Sequence, residues 1–327
     1  MSKKGLFWVF LVALLVNVAT IALAQHNSMV QRIDYLSDTL LIAGRNNFPP
    51  FSDYKVSHGK VFLQSVFLKP LQKAMKNHPA KLKSPVFNYN QHPDLDSLAF
   101  QAQFGEYNLF IGAYADTKEY KGLDLIYPAV VSNPIHIITL PENAARISDK
   151  AALTKFRGLV VDTEIYNNFS KRKIKELNAE HVATPLEAYE KLFTKQVDYI
   201  IGGLYYHRIM SSQYGLDPFL SYSKKPLFKI PVFVAMSKTT PKFSLYQKAF
   251  QEAFADPAFG NEVKKEILQM VEDVLAQNRG IVPPAFAQAA EPAENKTIDE
   301  EVEKQPLGHI IEQKVEEKTF DEVLEGI

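Results

Sequence analysis

The chain has 327 residues, 46% of them hydrophobic, enough to bury two modest cores, and its length favours two domains over one. Its formal charge sums to +0, which argues against a dedicated nucleic-acid binder. Cysteine is absent, which excludes disulfides, thiolate metal sites and a lipid anchor on cysteine.

Lys3 and Lys4 precede an apolar stretch over residues 6–24, and Ala22-Leu23-Ala24 is a small-x-small site before Gln25. Residues 1–24 therefore read as an export signal cleaved after Ala24. The stretch is also close to the ~20 residues that span a bilayer, so a retained anchor is the alternative. Either way the body faces a compartment outside the cytoplasm. Residues 25–39 carry no clear period. Residues 40–53, LLIAGRNNFPPFSD, begin as a buried strand that Gly44 ends, and Pro49 and Pro50 stiffen the exit. Ligands bind at the carboxyl ends of strands in open α/β sheets, so Asn46, Asn47, Phe48, Phe51 and Ser52 are the first candidates for a site wall.

Residues 54–58 read as a turn. Residues 61–77 read as a helix with a kink or break at Pro70, because apolar residues recur at mixed three- and four-residue spacing. A short strand follows at residues 86–89 and a helix at 94–105. Asp94 and Asp96 at its start suit the helix dipole better than a metal. Residues 107–114 form another apolar strand opening into Gly112, with Tyr114 at its end. Residues 134–140, PIHIITL, read as a strand in which His136 is packed, since the histidines show no metal spacing. Residues 158–161 are a strand, and Asp162-Thr163-Glu164 should cap the helix that runs on to about Leu177. Lys171, Arg172, Lys173 and Lys175 on that helix form a solvated face or, alternatively, a partner surface. Thr184-Pro185 starts a further helix, which leads into the strand Tyr199-Ile200-Ile201-Gly202-Gly203. Two glycines at a strand end imply close approach of backbone to a ligand or to another segment. Tyr205, Tyr206, His207 and Arg208 begin the next helix, its tyrosines either lining a cleft or stacking in a core. Residues 226–236 form a strand, and residues 244–277 one or two helices broken near Asp256-Pro257. Beyond Pro283-Pro284 the composition turns acidic and disordered in character, leaving the body before it net basic. A short amphipathic piece around Ile310, Val315 and Phe320 suits folding on a partner or, alternatively, a fraying helix.

Three features, residues 40–53, the block Thr117-Lys118-Glu119-Tyr120 with the Tyr127-Pro128 ending after it, and Gln196-Val197-Asp198-Tyr199-Ile200-Ile201-Gly202-Gly203, resemble bacterial extracellular solute-binding proteins of the polar amino acid type, family 3. The resemblance covers residues 40–277 and lies mainly in the order of elements. It implies an α/β, two-lobed periplasmic binding protein type 2 fold, each lobe a mixed sheet flanked by helices, joined by two crossing strands. The first lobe would hold residues 25–133 and 229–287, the second residues 134–228, and residues 288–327 would be the tail. The crossings would be residues 134–140 and 226–236. The resemblance also implies a small-molecule ligand between the lobes, an inner-membrane permease of ABC type as partner, and a periplasmic location.

The chain departs from that family at three contacts. Tyr120 stands where the relatives carry the arginine that clamps a carboxylate, and Gly203 stands where an aspartate would hold the ammonium group. At the helix start that would bind the carboxylate, Asp162 and Glu164 bring like charge. A plain α-amino acid is therefore disfavoured, since each unpaired buried charge would cost several kcal/mol. The ligand-binding candidates are Asn46, Asn47, Phe48, Phe51, Tyr114, Tyr120, Thr163, Tyr166 and Gly203, a set suited to a neutral or cationic molecule with a flat face. No catalytic motif, metal set or cofactor fingerprint is present, and no cofactor, metal or nucleic acid is expected. Two alternatives stand beside a non-enzymatic binding protein. One is a degenerate cleft serving a periplasmic partner or assembly factor, with a protein partner for the acidic tail. The other is a dehydratase-like enzyme on the same fold, for which Glu164 and Arg45 are the candidate groups.

Overall fold

The computed structural model of the chain describes residues 39–288 except positions 77–80, 85, 89–97, 116, 118, 119, 121, 148, 149, 165, 166 and 178. The export signal, Asp94, Asp96, Lys118, Tyr166 and the tail beyond Gln288 lie outside the described residues. In chain order, β1 (Thr39–Gly44), β2 (Asp53–Ser57), β3 (Lys60–Gln64), α1 (Leu68–Ala74), β4 (Lys81–Lys83), β5 (Val86–Asn88), α2 (Leu98–Gln103), β6 (Leu109–Ala113) and β7 (Leu123–Thr139) come first. They are followed by α3 (Lys150–Leu153), β8 (Gly158–Val161), α4 (Asn168–Glu176), β9 (Glu180–Val182), α5 (Pro185–Phe193), β10 (Tyr199–Gly203), α6 (Leu204–Gln213), β11 (Ser221–Tyr222), β12 (Phe228–Ser237), α7 (Phe243–Ala255) and α8 (Pro257–Gln277).

β6, β8 and β10 are buried at every position, as expected of apolar strands covered on both faces. The strand order is β4-β1-β6-β12-β7-β10-β8-β9, with β11 also on β7. Within the first lobe β1 lies parallel to β4 and β6, and within the second β8 lies parallel to β9 and β10. β7 and β12 run antiparallel to each other between the two lobes. β12 pairs with β6 through Phe233–Met236, while the far end of β7 pairs with β10 through Ile135–Ile138. The two crossing strands thus belong to both lobes, and the hydrogen-bonded path through the strands is unbroken. The strand that contains residues 134–139 begins at Leu123, eleven residues before the start read from the sequence. The β7–β12 ladder itself is not uniform. Its register shifts between Val232 and Val234.

The segment after β1 differs from the sequence reading. Residues 53–64 are a β-hairpin with its turn at His58-Gly59, and β3 alternates exposed and buried positions with Val61 and Leu63 inward. That period-2 burial, satisfied by pairing with β2 and β5, overrides the helical spacing read from the same residues. The helix begins only at Leu68, so Pro70 lies in its first turn, where a missing N–H leaves no bond unmade and no break is needed. The strand at residues 86–88 joins this small sheet through β3, while β4 pairs with β1. Helices α5, α7 and α8 match their sequence signals. Thr184 Oγ1 accepts the Glu187 N–H at 3.3 Å, and Asp256 Oδ1 accepts the Ala258 N–H at 2.9 Å where the two terminal helices part.

One apolar core fills the first lobe, runs along the crossing strands and takes in the inner face of the second lobe through Tyr199, Ile201, Tyr205 and Ile209. A second core, with Ile138, Leu159, Tyr189, Leu192 and Ile200, lies on the opposite face of the second lobe's strands. Ile200 and Ile201 point to different cores, as neighbours on a strand must. Among the described residues no helix is long and apolar enough to cross a membrane.

Candidate functional site

The site forms where the carboxyl ends of β1, β6, β8 and β10 face each other across the seam between the lobes. On the first lobe, the chain leaves β1 at Gly44, where a Cβ would fall 2.0 Å from Ser52 Oγ. Only glycine lets the returning loop lie this close. Ser52 Oγ donates to the Arg45 carbonyl at 2.6 Å, and the Phe48 and Ser52 backbones exchange hydrogen bonds at 3.0 and 2.9 Å. The loop therefore closes on itself around Pro49 and Pro50. Its rings turn inward. Phe48 and Phe51 are 2% and 1% exposed, with centroids 5.1 Å apart. Phe48 meets Tyr114 edge-on at 5.5 Å, and Phe51 meets Tyr205 of the second lobe edge-on at 6.3 Å. The Arg45 guanidinium lies over the Phe48 ring at 5.5 Å and donates to the Thr163 carbonyl of the second lobe at 3.3 Å.

Tyr114 is fully buried and its hydroxyl accepts from Asn133 Nδ2 at 3.3 Å. Burial pushes its phenol well above the usual range, so it stays neutral. Asn133, on β7 and 1% exposed, leaves its Oδ1 without a hydrogen-bond partner among the described residues. Tyr120 is buried with its ring on Phe110 at 5.4 Å, behind Tyr114 in the first lobe. Asn46 is half-buried at the strand exit. Asn47 is exposed with φ of 53°, its N–H held by Asp53 Oδ1 at 3.1 Å, which gives it a turn-forming place.

The second lobe presents a hydrogen-bonded wall. Glu164, 2% exposed, accepts the Gly203 N–H on Oε1 at 2.7 Å and sets Oε2 2.5 Å from His207 Nε2. His207 is itself fully buried, and its Nδ1 lies 2.8 Å from the Tyr189 hydroxyl. Burial pushes the Tyr189 phenol well above its usual range, so this relay ends in a neutral hydroxyl. Gly202 makes room for the contact. A Cβ there would fall 2.1 Å from His207 Nε2 and 2.4 Å from Glu164 Oε2.

Residues 162–164 form a 3-10 turn, and α4 starts four residues later. Its cap is Asn167, not the acidic triplet assigned from the sequence. Asn167 Oδ1 accepts the Ser170 N–H at 2.9 Å, and Ser170 Oγ accepts the Asn167 N–H at 3.0 Å. Asn167 Nδ2 also donates across the seam to the Ala115 carbonyl at 3.1 Å. Asp162 instead faces His181 at 3.0 Å, and exposed Thr163 hydrogen-bonds Tyr206 through its side chain.

Of the residues named from the sequence, the structure gathers Phe48, Phe51, Tyr114 and Gly203 at the seam, with Thr163 at its rim and Tyr120 behind. Sequence reasoning missed Asn133, Asn167, Tyr189 and His207 as parts of these walls. The Gly202-Gly203 pair signalled a close approach, and the approaching segment is Glu164 with His207. His136 is packed as expected, 4% exposed with Nδ1 2.8 Å from the Ser223 carbonyl. A recess of about 450 Å³ beside Arg157, Glu176 and Gln196 lies at the outer edge of the second lobe and shares no residue with the seam.

No family model and no curated protein sequence matches the chain. Its fold matches solved structures. An amino acid ABC transporter substrate-binding protein, AbpA from Streptococcus pneumoniae bound to L-arginine, is 16% identical with a TM-score of 0.53, over 75% of this chain and 99% of that one. The ancestral amino acid-binding protein AncCDT-1, described as a precursor of cyclohexadienyl dehydratase, is 15% identical with a TM-score of 0.51, over 73% and 98%. A histidine kinase sensor domain with similarity to periplasmic binding proteins is 12% identical with a TM-score of 0.50, over 75% and 98%. The chain is thus similar in structure, at low identity, to amino acid substrate-binding proteins and has their two-lobed α/β fold.

Proposed function

We propose that the chain is an exported solute-binding protein that closes its two lobes over a small neutral or cationic molecule with a flat face. The observation that carries this reading is Asn133 Oδ1, a buried acceptor beside Tyr114 with no donor among the described residues. A buried polar atom left unpaired costs about 1–3 kcal/mol, which a guest N–H would recover. Arg45 over Phe48 supports the same ligand class, since the ring already accepts a planar cation. The walls also disfavour a zwitterion. The Gly203 amide is occupied by Glu164, the start of α4 is capped by Asn167, and Tyr120 supplies no charge. Division of the lobes near residues 133 and 228, cleavage after Ala24, a periplasmic location and delivery to an inner-membrane ABC permease belong to this reading.

A thermal-shift screen of the mature chain against metabolites tests it. Planar cationic and neutral compounds are expected to raise Tm, by about 2.7 kcal/mol of added stability at 100 times Kd, and Asn133→Leu to abolish the gain. Stabilisation by plain α-amino acids, undiminished in Asn133→Leu, would refute it.

Two other readings have an observation each. Direct bonds across the seam, Asn167 to Ala115 and Arg45 to Thr163, favour a shut cleft serving a protein partner. Loss of function on deleting residues 289–327 with solute binding intact would select that one. The Glu164–His207 pair beside the seam favours an enzyme, which turnover of the bound compound would reveal.

A further inference from the structure

Besides β7 and β12, which lie side by side, α8 and the residues after it also pass from one lobe to the other. Twenty-one residues at about 1.5 Å each give α8 a length of about 32 Å. Its first half is tied to α1 of the first lobe, where Glu262 meets Lys73 at 2.7 Å and Glu266 meets Lys69 at 2.5 Å. Further along it packs on α6, and Ile267 and Val271 share one core with Tyr205 and Ile209 of that helix. At its end Asn278 Nδ2 donates to Ser212 Oγ at 3.1 Å. The chain then turns at Gly280, whose φ is 83°, and passes Gly215, where a Cβ would fall 2.4 Å from the Ile281 carbonyl oxygen. Pro283 and Pro284 fix the backbone of the next residues. Phe286 then sets its ring 5.9 Å from Phe193, and Ala287 is fully buried in the core on the outer face of the second lobe. Within this segment the backbone bonds are local, Ile281 N–H to Asn278 at 3.2 Å, Ala287 N–H to Pro284 at 2.9 Å and Gln288 N–H to Ala285 at 3.4 Å. Side chains therefore fasten it to the lobe, and it can lift as a unit.

We propose that residues 278–288 are a clasp that ties the second lobe to α8 and holds the seam shut until it lifts off. Two neighbouring strands form a hinge and leave the lobes free to rotate about it. An attachment to the outer core of the second lobe, reached from a helix fixed to α1, removes that freedom for as long as it holds. The proline pair keeps the strap at one length, so it transmits the restraint instead of stretching. The clasp requires the lobe division proposed above but no solute in the seam.

Because the chain has no cysteine, Lys60→Cys on β3 and Lys175→Cys on α4, both exposed, can each take one spin label. Pulsed dipolar spectroscopy of the full chain without added solute then reads the distance between the lobes. With the clasp intact a narrow distribution is expected. A Gly-Ser-Gly-Ser-Gly-Ser insertion between the exposed Ile281 and Val282 keeps every anchor and adds roughly 13 Å of slack. It should broaden the distribution toward longer distances while the urea midpoint stays unchanged. Ala287→Asp, which puts a charge into the core and dislodges the strap, should broaden it in the same way; if that variant does not fold, the slackened chain decides alone. The same insertion after Gln288, beyond the clasp, should change nothing. Unchanged distances in the slackened chain would overturn the proposal, as would a broad distribution already present in the unaltered chain or equal broadening by the insertion after Gln288. A failed solute screen would leave these distances unaffected, so the binding reading and the clasp fail separately.

Discussion

The two walls of the seam are built on opposite principles. The first lobe offers rings, Phe48, Phe51 and Tyr114, whose order comes from packing in a loop that closes on itself. The second offers a chain of hydrogen bonds, Gly203 to Glu164 to His207 to Tyr189, none of whose members can be lost without orphaning another. Packing tolerates a substitute of similar volume, whereas a buried polar relay does not. The same seam can therefore adapt on one side while staying fixed on the other.

The largest effects should separate the walls most sharply. Phe48→Ala and Glu164→Ala are each expected to cost about 3–5 kcal/mol in urea unfolding, the first through a cavity and the second through an unpaired buried His207 and Gly203 N–H. The replacements of similar size should then diverge. Phe48→Met should cost less than about 1.5 kcal/mol, while Glu164→Leu should stay as damaging as Glu164→Ala. Equal tolerance on both sides would break the comparison. Gly202→Ala, which thrusts a methyl group into the Glu164–His207 contact, should cost about 1–3 kcal/mol with an unchanged m-value.

Asn167 sharpens the comparison because it serves both its own helix and the seam. Asn167→Ala should cost about 1 kcal/mol for the cap. Asn167→Asp keeps the cap and loses only the donor to Ala115, so small-angle scattering should detect lobe opening with little loss of stability. The smallest effect should be a pH limb from His136, paired with Gly202 in the β7–β10 ladder. Burial lowers its pKa, so the fold favours the neutral ring and the unfolded chain binds the proton more readily. Stability should fall as pH drops through the ordinary imidazole value of about 6.5 and level off below the lowered one. His136→Asn, which retains a donor toward Ser223, should flatten that limb.

What could be read from the sequence was local or periodic. Continuous apolar runs at residues 40–43, 109–111 and 199–201 announced buried strands, and Thr184-Pro185 and Asp256-Pro257 announced helix starts, because each signal sits within a few residues of its cause. The hairpin at residues 53–64 was misread since Val61 and Leu63 obey a two-residue period only once β2 and β5 are paired beside them. The polar wall was hidden for a related reason. Glu164 meets Gly203 and His207 across 39 and 43 residues, and nothing near Glu164 in the chain marks those partners. Its carboxylate at a helix start had a simpler local explanation, the cap, which the fold gave to Asn167.

The offset in the longest ladder has a mechanical meaning. Below it Ile230 faces Asn133 and Val232 faces Val131, while above it Val234 faces Ile126 and Ala235 faces Leu125, so residues 127–130 span a gap in which one strand slips three places along the other. Two stiff planks thus meet at a soft joint, with the exposed Tyr127 ring leaning on Phe233 across it. Flexing should concentrate in that joint, and amide exchange there should outpace the pairs on either side even though the strand runs on without a break.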